Sequence, residues 1–346
     1  MQQIALNDSV LFIREVSYPL NTLANVYFDT DELEKAEQLF LQVVEIRNEL
    51  LQTDSSFLAD YATAMINLGD LYRYMNELEK AVEYTQEALN IRTELAKKDA
   101  NGLSYSLANA NNNMGTIYLR MKKYDEAMHY YMVADSILEQ GMQTNPDQHK
   151  TLYVISLNNI GMLYRRMENW ESAEKYYLKA AAICRQYEKL NPETYTYYLG
   201  IILNNLGAFY RNQNKLDEAE RYNLEALEKR KTLLQYSDKY EVDVAMSYQN
   251  LGRVYASLNK TEEAKNCYTK AYSTYKVLAN NKPETYQQDF ARISFTVGDF
   301  YKSCEQSKQA KKYYKESYKA YKQLEKRYPN KYLDKIKEVK EALKKI

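Results

Sequence analysis

The chain has 346 residues, and its 47 basic and 47 acidic side chains cancel to zero formal charge, a balance that argues against general nucleic-acid binding. Nine glycines and five prolines leave helix interiors nearly free of breakers, which favours an all-α chain over a mixed one. Cys184, Cys267, Cys304, His129 and His149 stand in no metal-ligand spacing, so no metal is expected.

The opening MQQIALNDSV has neither the basic start nor the apolar core of a signal peptide, and no stretch approaches a membrane span. No membrane association is expected, and three cysteines without evident partners suit a reducing cytoplasm. Residues 5–16, ALNDSVLFIREV, read as the end of one helix and the start of the next, and Pro19 should interrupt that next helix. Leu6, Leu11, Phe12 and Ile13 would then form an apolar edge suited to self-association or to another domain.

From here the chain repeats. Gly69, Gly115, Gly161, Gly207, Gly252 and Gly298, with Ala24 in the same place earlier, are spaced by 45 or 46 residues. Three residues after each anchor stands a tyrosine, from Tyr27 to Tyr301, and twelve after it an alanine, from Ala36 to Ala310. Pro146, Pro192, Pro283 and Pro329 each fall 31 residues after an anchor. Self-similarity at a fixed period of this length marks a solenoid, which extends one core along a line.

Within a unit, apolar residues at −4, −1 and +3 from the anchor, such as Leu203, Leu206 and Tyr210, form one stripe of a first helix, A. The glycine in that stripe lets the second helix, B, approach closely, and the alanine twelve residues on is expected to face it. A short polar turn such as RNQNKLDE at 211–218 joins the two, so A and B are antiparallel neighbours. Tyrosine pairs in helix B, such as Tyr130-Tyr131 and Tyr176-Tyr177, are expected to pack rather than to stack on ligands, and Trp170 holds the turn position of Tyr124 and Leu216.

The opposite stripe of helix A carries two ladders. The first consists of Asn67, Asn112, Asn113, Asn158, Asn159, Asn204, Asn205, Gln249 and Asn250. The second consists of Arg73, Arg120, Arg165, Arg166, Arg211 and Arg253. Carboxamides can donate to and accept from a peptide backbone, and arginine forks pair with carboxylates. An asparagine at −2 would equally serve to bond a neighbouring helix and hold the stack. Asparagine is costly inside a helix, so its recurrence at one register calls for a cause.

No glycine precedes a lysine and no G-x-G-x-x-G occurs, which removes the phosphate-cradling loops, so neither an enzyme nor a cofactor is expected. Pro329 opens NKYLDKIKEVKEALKKI, which reads as a polar helix closing the stack. Charge is segregated: residues 1–100 hold 8 basic and 18 acidic side chains, and residues 302–346 hold 15 and 6. The lysine-rich QAKKYYKESYKAYKQLEKR is either a solvated face or a contact for an acidic partner or for another copy.

Leu-Gly-x-x-Tyr followed nine residues later by Ala resembles the tetratricopeptide repeat family over residues 17–328, as seven units at about 17–53, 54–99, 100–145, 146–191, 192–237, 238–282 and 283–328, with a capping helix at 330–346. The resemblance implies a right-handed superhelical solenoid forming a single domain over residues 1–346. Units longer than the family's usual ~34 residues imply helices of ~20 residues, or ~30 Å. The tryptophan common at −4 is replaced here by Met65, Asn111, Leu157, Leu203, Tyr248 and Ser294. Long repeats with Leu-Asn-Asn-Leu before the anchor look most like those of kinesin light chains and bacterial multi-repeat proteins. The resemblance places the asparagine and arginine ladders in a concave groove and gives Asn113, Asn159, Asn205 and Asn250 contacts to a bound peptide's backbone. The expected function is a peptide-binding adaptor, with a partly acidic peptide held by Asn158, Asn159, Asn204 and Asn205 and read by Arg120, Arg165, Arg166 and Arg211. The alternative is a scaffold that joins a larger assembly through its ends or its convex face.

Overall fold

The computed structural model describes residues 2–98 and 100–346, with side chains from residue 15 onward except at 99–103. Among these residues it is built of helices and turns without strands. The helices are α1 (Gln2–Asp29), α2 (Leu33–Thr53), α3 (Leu58–Met75), α4 (Leu78–Lys98), α5 (Ala100–Arg120), α6 (Tyr124–Thr144), α7 (Pro146–Arg166) and α8 (Trp170–Tyr187). They continue with α9 (Pro192–Asn212), α10 (Leu216–Leu233), α11 (Glu241–Ser257), α12 (Thr261–Asn281), α13 (Pro283–Ser303), α14 (Ser307–Arg327) and α15 (Leu333–Lys344). The chain divides into two compact units, residues 1–180 and 181–346.

Each repeat ends its first helix in the same way. The residue seven places after the anchor adopts left-handed backbone, at Asp31, Asn76, Lys122, Glu168, Asn214, Asn259 and Glu305, with φ between 58° and 64°. The next N–H turns back to the carbonyl of the recurring tyrosine, as from Glu77 to Tyr72, Asn169 to Tyr164 and Gln306 to Tyr301, each at 2.9 Å. This is a Schellman closure, which satisfies carbonyls that the helix end would otherwise orphan. The following helix starts two residues later and runs back antiparallel. Pro146, Pro192 and Pro283 open α7, α9 and α13 at the first position, where no N–H is needed. Asn145 and Asn191 cap α7 and α9 by accepting from the Gln148 and Thr194 N–H groups.

The glycine anchors sit where the two helices of a pair meet. A Cβ on Gly115, Gly161, Gly252 or Gly298 would lie within 3 Å of the ring of Tyr131, Tyr177, Tyr268 or Tyr314. The facing residue is thus sixteen places on, one helical turn beyond the alanine that spacing nominated. That alanine is fully buried in the same stripe, at Ala81, Ala127, Ala173 and Ala310 for example. The recurring tyrosine stacks on a second-helix tyrosine in five pairs, 72/84, 118/130, 164/176, 210/222 and 301/313, with ring centroids 5.2 to 5.6 Å apart. Packing therefore accounts for these rings, each worth roughly 0.5–1.5 kcal/mol beyond its buried area.

In the first unit Phe40, Met65, Leu68, Leu71, Met114 and Ile117 share one core. In the second unit, Ile293, Val297, Tyr314 and Tyr321 form a core that Ile336 and Val339 of α15 complete. That last helix is polar outside and apolar inside, as a cap requires.

The beginning of the chain departs from expectation. Residues 2–29 form one continuous helix with Pro19 inside it, so neither a helix end within 5–16 nor a break at Pro19 occurs. No other breaker stands in that stretch, and Pro19 and Glu15 are both exposed, so water can take the carbonyl that loses its donor. The apolar edge expected at Leu6, Leu11, Phe12 and Ile13 lies outside the described side chains. No helix among the described residues is long and apolar enough to cross a membrane.

Candidate interaction face

The ladders lie in the last three turns of the first helices of the repeats. In the first unit, Asn67 donates to the Asn21 amide oxygen at 2.9 Å, Asn113 to the Asp70 carboxylate at 3.3 Å and Asn159 to the Asn112 amide oxygen at 3.3 Å. Each amide reaches back to the first helix of the preceding repeat, so position −2 links successive repeats while staying half-exposed. Arg73 pairs with Asp70 at 3.1 Å, and Arg120 donates to the Arg73 carbonyl at 2.7 Å. Burial and then the charge of Arg73 push the Arg120 guanidinium below its ordinary value. Arg166 is exposed, and Arg165 is half-buried with its Nε unsatisfied.

In the second unit Arg253 donates to Asn250 at 3.4 Å and Arg211 to Asn212 at 3.5 Å. Arg253 is lowered by burial; Tyr268 opposes that shift, while Arg211 and Arg292 add like-charge repulsion. Arg292, held by Asp289 at 2.6 Å, adds a like charge at Arg253 that the ladder register missed, because it lies about two turns earlier in its helix than the nearest arginine position of the ladder. Asn205 is half-exposed in the same face.

Position −3 is different. Asn112 and Asn204 are 4% and 5% exposed, so they lie behind the face rather than on it, whereas Asn158 is half-exposed like the amides at −2. The physical reason is helical pitch: one residue, or ~100°, turns the side chain from the open face to the contact with the adjacent helix. Asn204 joins a buried polar cluster, where its amide, turned to satisfy both ends, donates to the Asn223 amide oxygen at 3.1 Å and accepts from Ser247 at 3.1 Å and from Arg230.

Arg230, on α10, is the centre of that cluster. It donates to the Asp243 carbonyl at 2.9 Å and to Ser247 at 3.2 Å, with the Asp243 carboxylate at 3.6 Å. Arg47 and Arg92 sit at the same register, 23 residues after their anchors, and donate to the Asp60 and Ala59 carbonyls at 2.9 and 3.0 Å. The clasps of Arg47 and Arg230 fasten a second helix to the start of the next repeat, whereas that of Arg92 ties its helix to the first helix of its own repeat. The common register was present in the sequence as the signal that could have found them. Cys184 and Cys267 are buried, and desolvation pushes their thiols up to about 12 and about 11, so both behave as small apolar side chains.

The fold and face define a helical-repeat protein whose first helices present amides and guanidiniums. Tetratricopeptide repeat models match residues 15–94, 108–137, 155–187, 198–276 and 291–324. The chain belongs to the tetratricopeptide repeat family. No curated protein gives a significant match to it. Among solved structures, BtubC (BKLC) from P. vanneervenii is 24% identical over 71% of this chain and 92% of its own, with a TM-score of 0.58. Aspartyl phosphate phosphatase F from Bacillus subtilis is 16% identical over 92% of this chain and 73% of its own, at 0.61. A Rap protein complexed with competence and sporulation factor is 16% identical over 88% and 77%, at 0.53. These likenesses show the fold.

Proposed function

We propose that the chain is a non-enzymatic adaptor whose first-helix face recognises an extended, partly acidic segment of a partner protein. The half-exposed amides Asn67, Asn113, Asn159, Asn205 and Asn250 would hold its backbone, and Arg73, Arg120, Arg165, Arg166, Arg211 and Arg253 its carboxylates. The observation that carries this function is the row of half-exposed amides and guanidiniums along the first helices, where Arg253 is lowered first by burial and further by the like charges of Arg211 and Arg292. Like charges held together in partly desolvated surroundings are stabilised when an anion enters, and the forks supply directed donors for it. A protein of this fold has been solved in complex with competence and sporulation factor, which supports a binding role without assigning this chain a partner. A scaffold role is the second reading, favoured by the amides at −2 that already bond the preceding helix.

A library of acidic peptides screened against wild type and the Arg211→Ala, Arg253→Ala double variant, with circular dichroism as the folding control, tests the proposal. Each lost charged hydrogen bond should cost ~1.5–3 kcal/mol, so the best binders should weaken roughly a hundredfold or more. Equal binding by a folded double variant would leave the scaffold reading.

A further inference from the structure

A cleft of ≈ 580 Å³ opens between α12, α13 and α14 in the second unit. Its floor carries an apolar patch of Ala279, Phe290 and Leu324 beside Gln287, which donates to Gln323 at 2.8 Å, and its rim carries Lys276, Lys319 and Arg327 against one carboxylate, Glu316. The rim charges are loosely held. Arg327 stands 4.0 Å from Glu284 and Lys319 pairs with no carboxylate among the described residues, while Lys276, 3.9 Å from Glu316, donates to the Tyr272 hydroxyl at 3.2 Å and is the most firmly held of the three. Lys315, Lys322 and Lys326 stand exposed along α14. The cleft uses the first turns of α13, whereas the arginine ladder occupies the last turns of the first helices, so the two surfaces do not share residues.

The same register appears elsewhere in the molecule with other chemistry. A cleft of ≈ 350 Å³ between α4, α5 and α6 in the first unit has its lining 183 residues earlier, position for position: Thr93 replaces Lys276, Leu107 replaces Phe290 and Thr144 replaces Arg327. Between α6, α7 and α8 the register is filled instead. There Tyr153, in place of Phe290, donates to Glu139 at 3.3 Å, and Lys179 closes on Glu139 at 2.8 Å. The stacking geometry of the repeats therefore supplies a recurring gap, and only side chains decide whether it is sealed, neutral or cationic.

We propose that the α12–α14 cleft is a second docking site, for an acidic amphipathic segment of a partner protein that seats apolar side chains on the floor and carboxylates against Lys276, Lys319 and Arg327. An apolar floor rimmed by cations suits a helix whose apolar face is edged by carboxylates, whereas a free phosphate or a nucleic-acid backbone would leave that floor without a partner. The site goes beyond the arginine face and does not depend on it.

The test uses the full chain and a labelled helical peptide with a leucine face edged by glutamates, read by fluorescence anisotropy. Lys319→Glu with Arg327→Glu should weaken binding roughly tenfold or more, since both cations are exposed and their reversal adds repulsion. The peptide's Glu→Gln counterpart should lose affinity to the same extent, and Ser136→Glu with Thr144→Glu, at the matching register of the first unit, should change nothing. Arg211→Ala with Arg253→Ala should also leave this peptide's binding intact, which separates failure here from failure of the arginine face. Equal binding by the charge-reversed variant, equal loss in the first-unit variant, or a poly-glutamate chain without leucines binding as well as the peptide would each overturn the site. Concentration-dependent self-association of the wild type that the charge reversal abolishes would do so too, because the occupant would be a second copy.

Discussion

At the residue scale the repeats rest on two backbone demands, one at the helix crossing and one at the turn. The turn places Lys122, Glu168 and Glu305 in left-handed backbone at φ of 59° to 61°, which costs L-residues roughly 1–2 kcal/mol and glycine nothing. Glu168→Gly should therefore raise stability by up to about 1 kcal/mol in urea unfolding, after glycine's extra unfolded-state entropy is subtracted; a lower midpoint would mean that Glu168 contributes something its backbone hides. The crossing behaves oppositely. A methyl on Gly161 would meet the Tyr177 ring at 2.8 Å, so Gly161→Ala should lose ~1–3 kcal/mol by overpacking. An unchanged melting temperature would show the ring free to withdraw.

At the element scale, buried arginines and tyrosines fasten helix to helix. Arg230 is 2% exposed and holds the start of α11 through the Asp243 carbonyl. Arg230→Met should cost about 3 kcal/mol, the order expected when one partner of a buried ionic contact is removed, and adding Asp243→Asn should recover part of it. Full additivity of the two changes would mean that they do not interact. Burial holds Tyr131, Tyr177, Tyr268, Tyr275 and Tyr321 neutral, with each phenol pushed up to about 12. The sign follows from linkage: a folded value above the unfolded one, ~10, gives stability that is complete below pH 10 and lost as pH rises toward 12. Alkaline titration should thus show tyrosinate absorbance rising together with loss of helical circular dichroism. Ionisation of these rings well before unfolding would contradict their burial.

At the scale of the whole molecule, the repeat period made most of the fold legible. Glycine anchors, the tyrosine three places on and the prolines set the helix pairs, because each residue type answers a local backbone or packing demand that recurs at every turn. What stayed hidden depends on the neighbour across the stack. Spacing could not tell that Tyr177 rather than Ala173 faces Gly161, since both lie on one stripe. Nor could it tell that Asn112 and Asn204 turn inward while Asn113 and Asn205 stay half-exposed. Pro19 misled because a proline weakens a long helix without ending it when the freed carbonyl can turn to water. The arginines at 47, 92 and 230 were readable in principle from their shared register, but a charged residue in a second helix is ordinarily a surface feature.

The central claim is that guanidiniums of the first-helix face read carboxylates of a bound segment, and a double-mutant cycle tests it most directly. Wild type and Arg253→Ala would each be titrated calorimetrically with the best acidic peptide and with its single Glu→Gln counterparts. Direct pairing predicts a coupling of about 1.5 kcal/mol or more between Arg253 and one particular glutamate. Zero coupling at every glutamate, with all four combinations additive, would contradict the claim and make the arginines part of the stack alone.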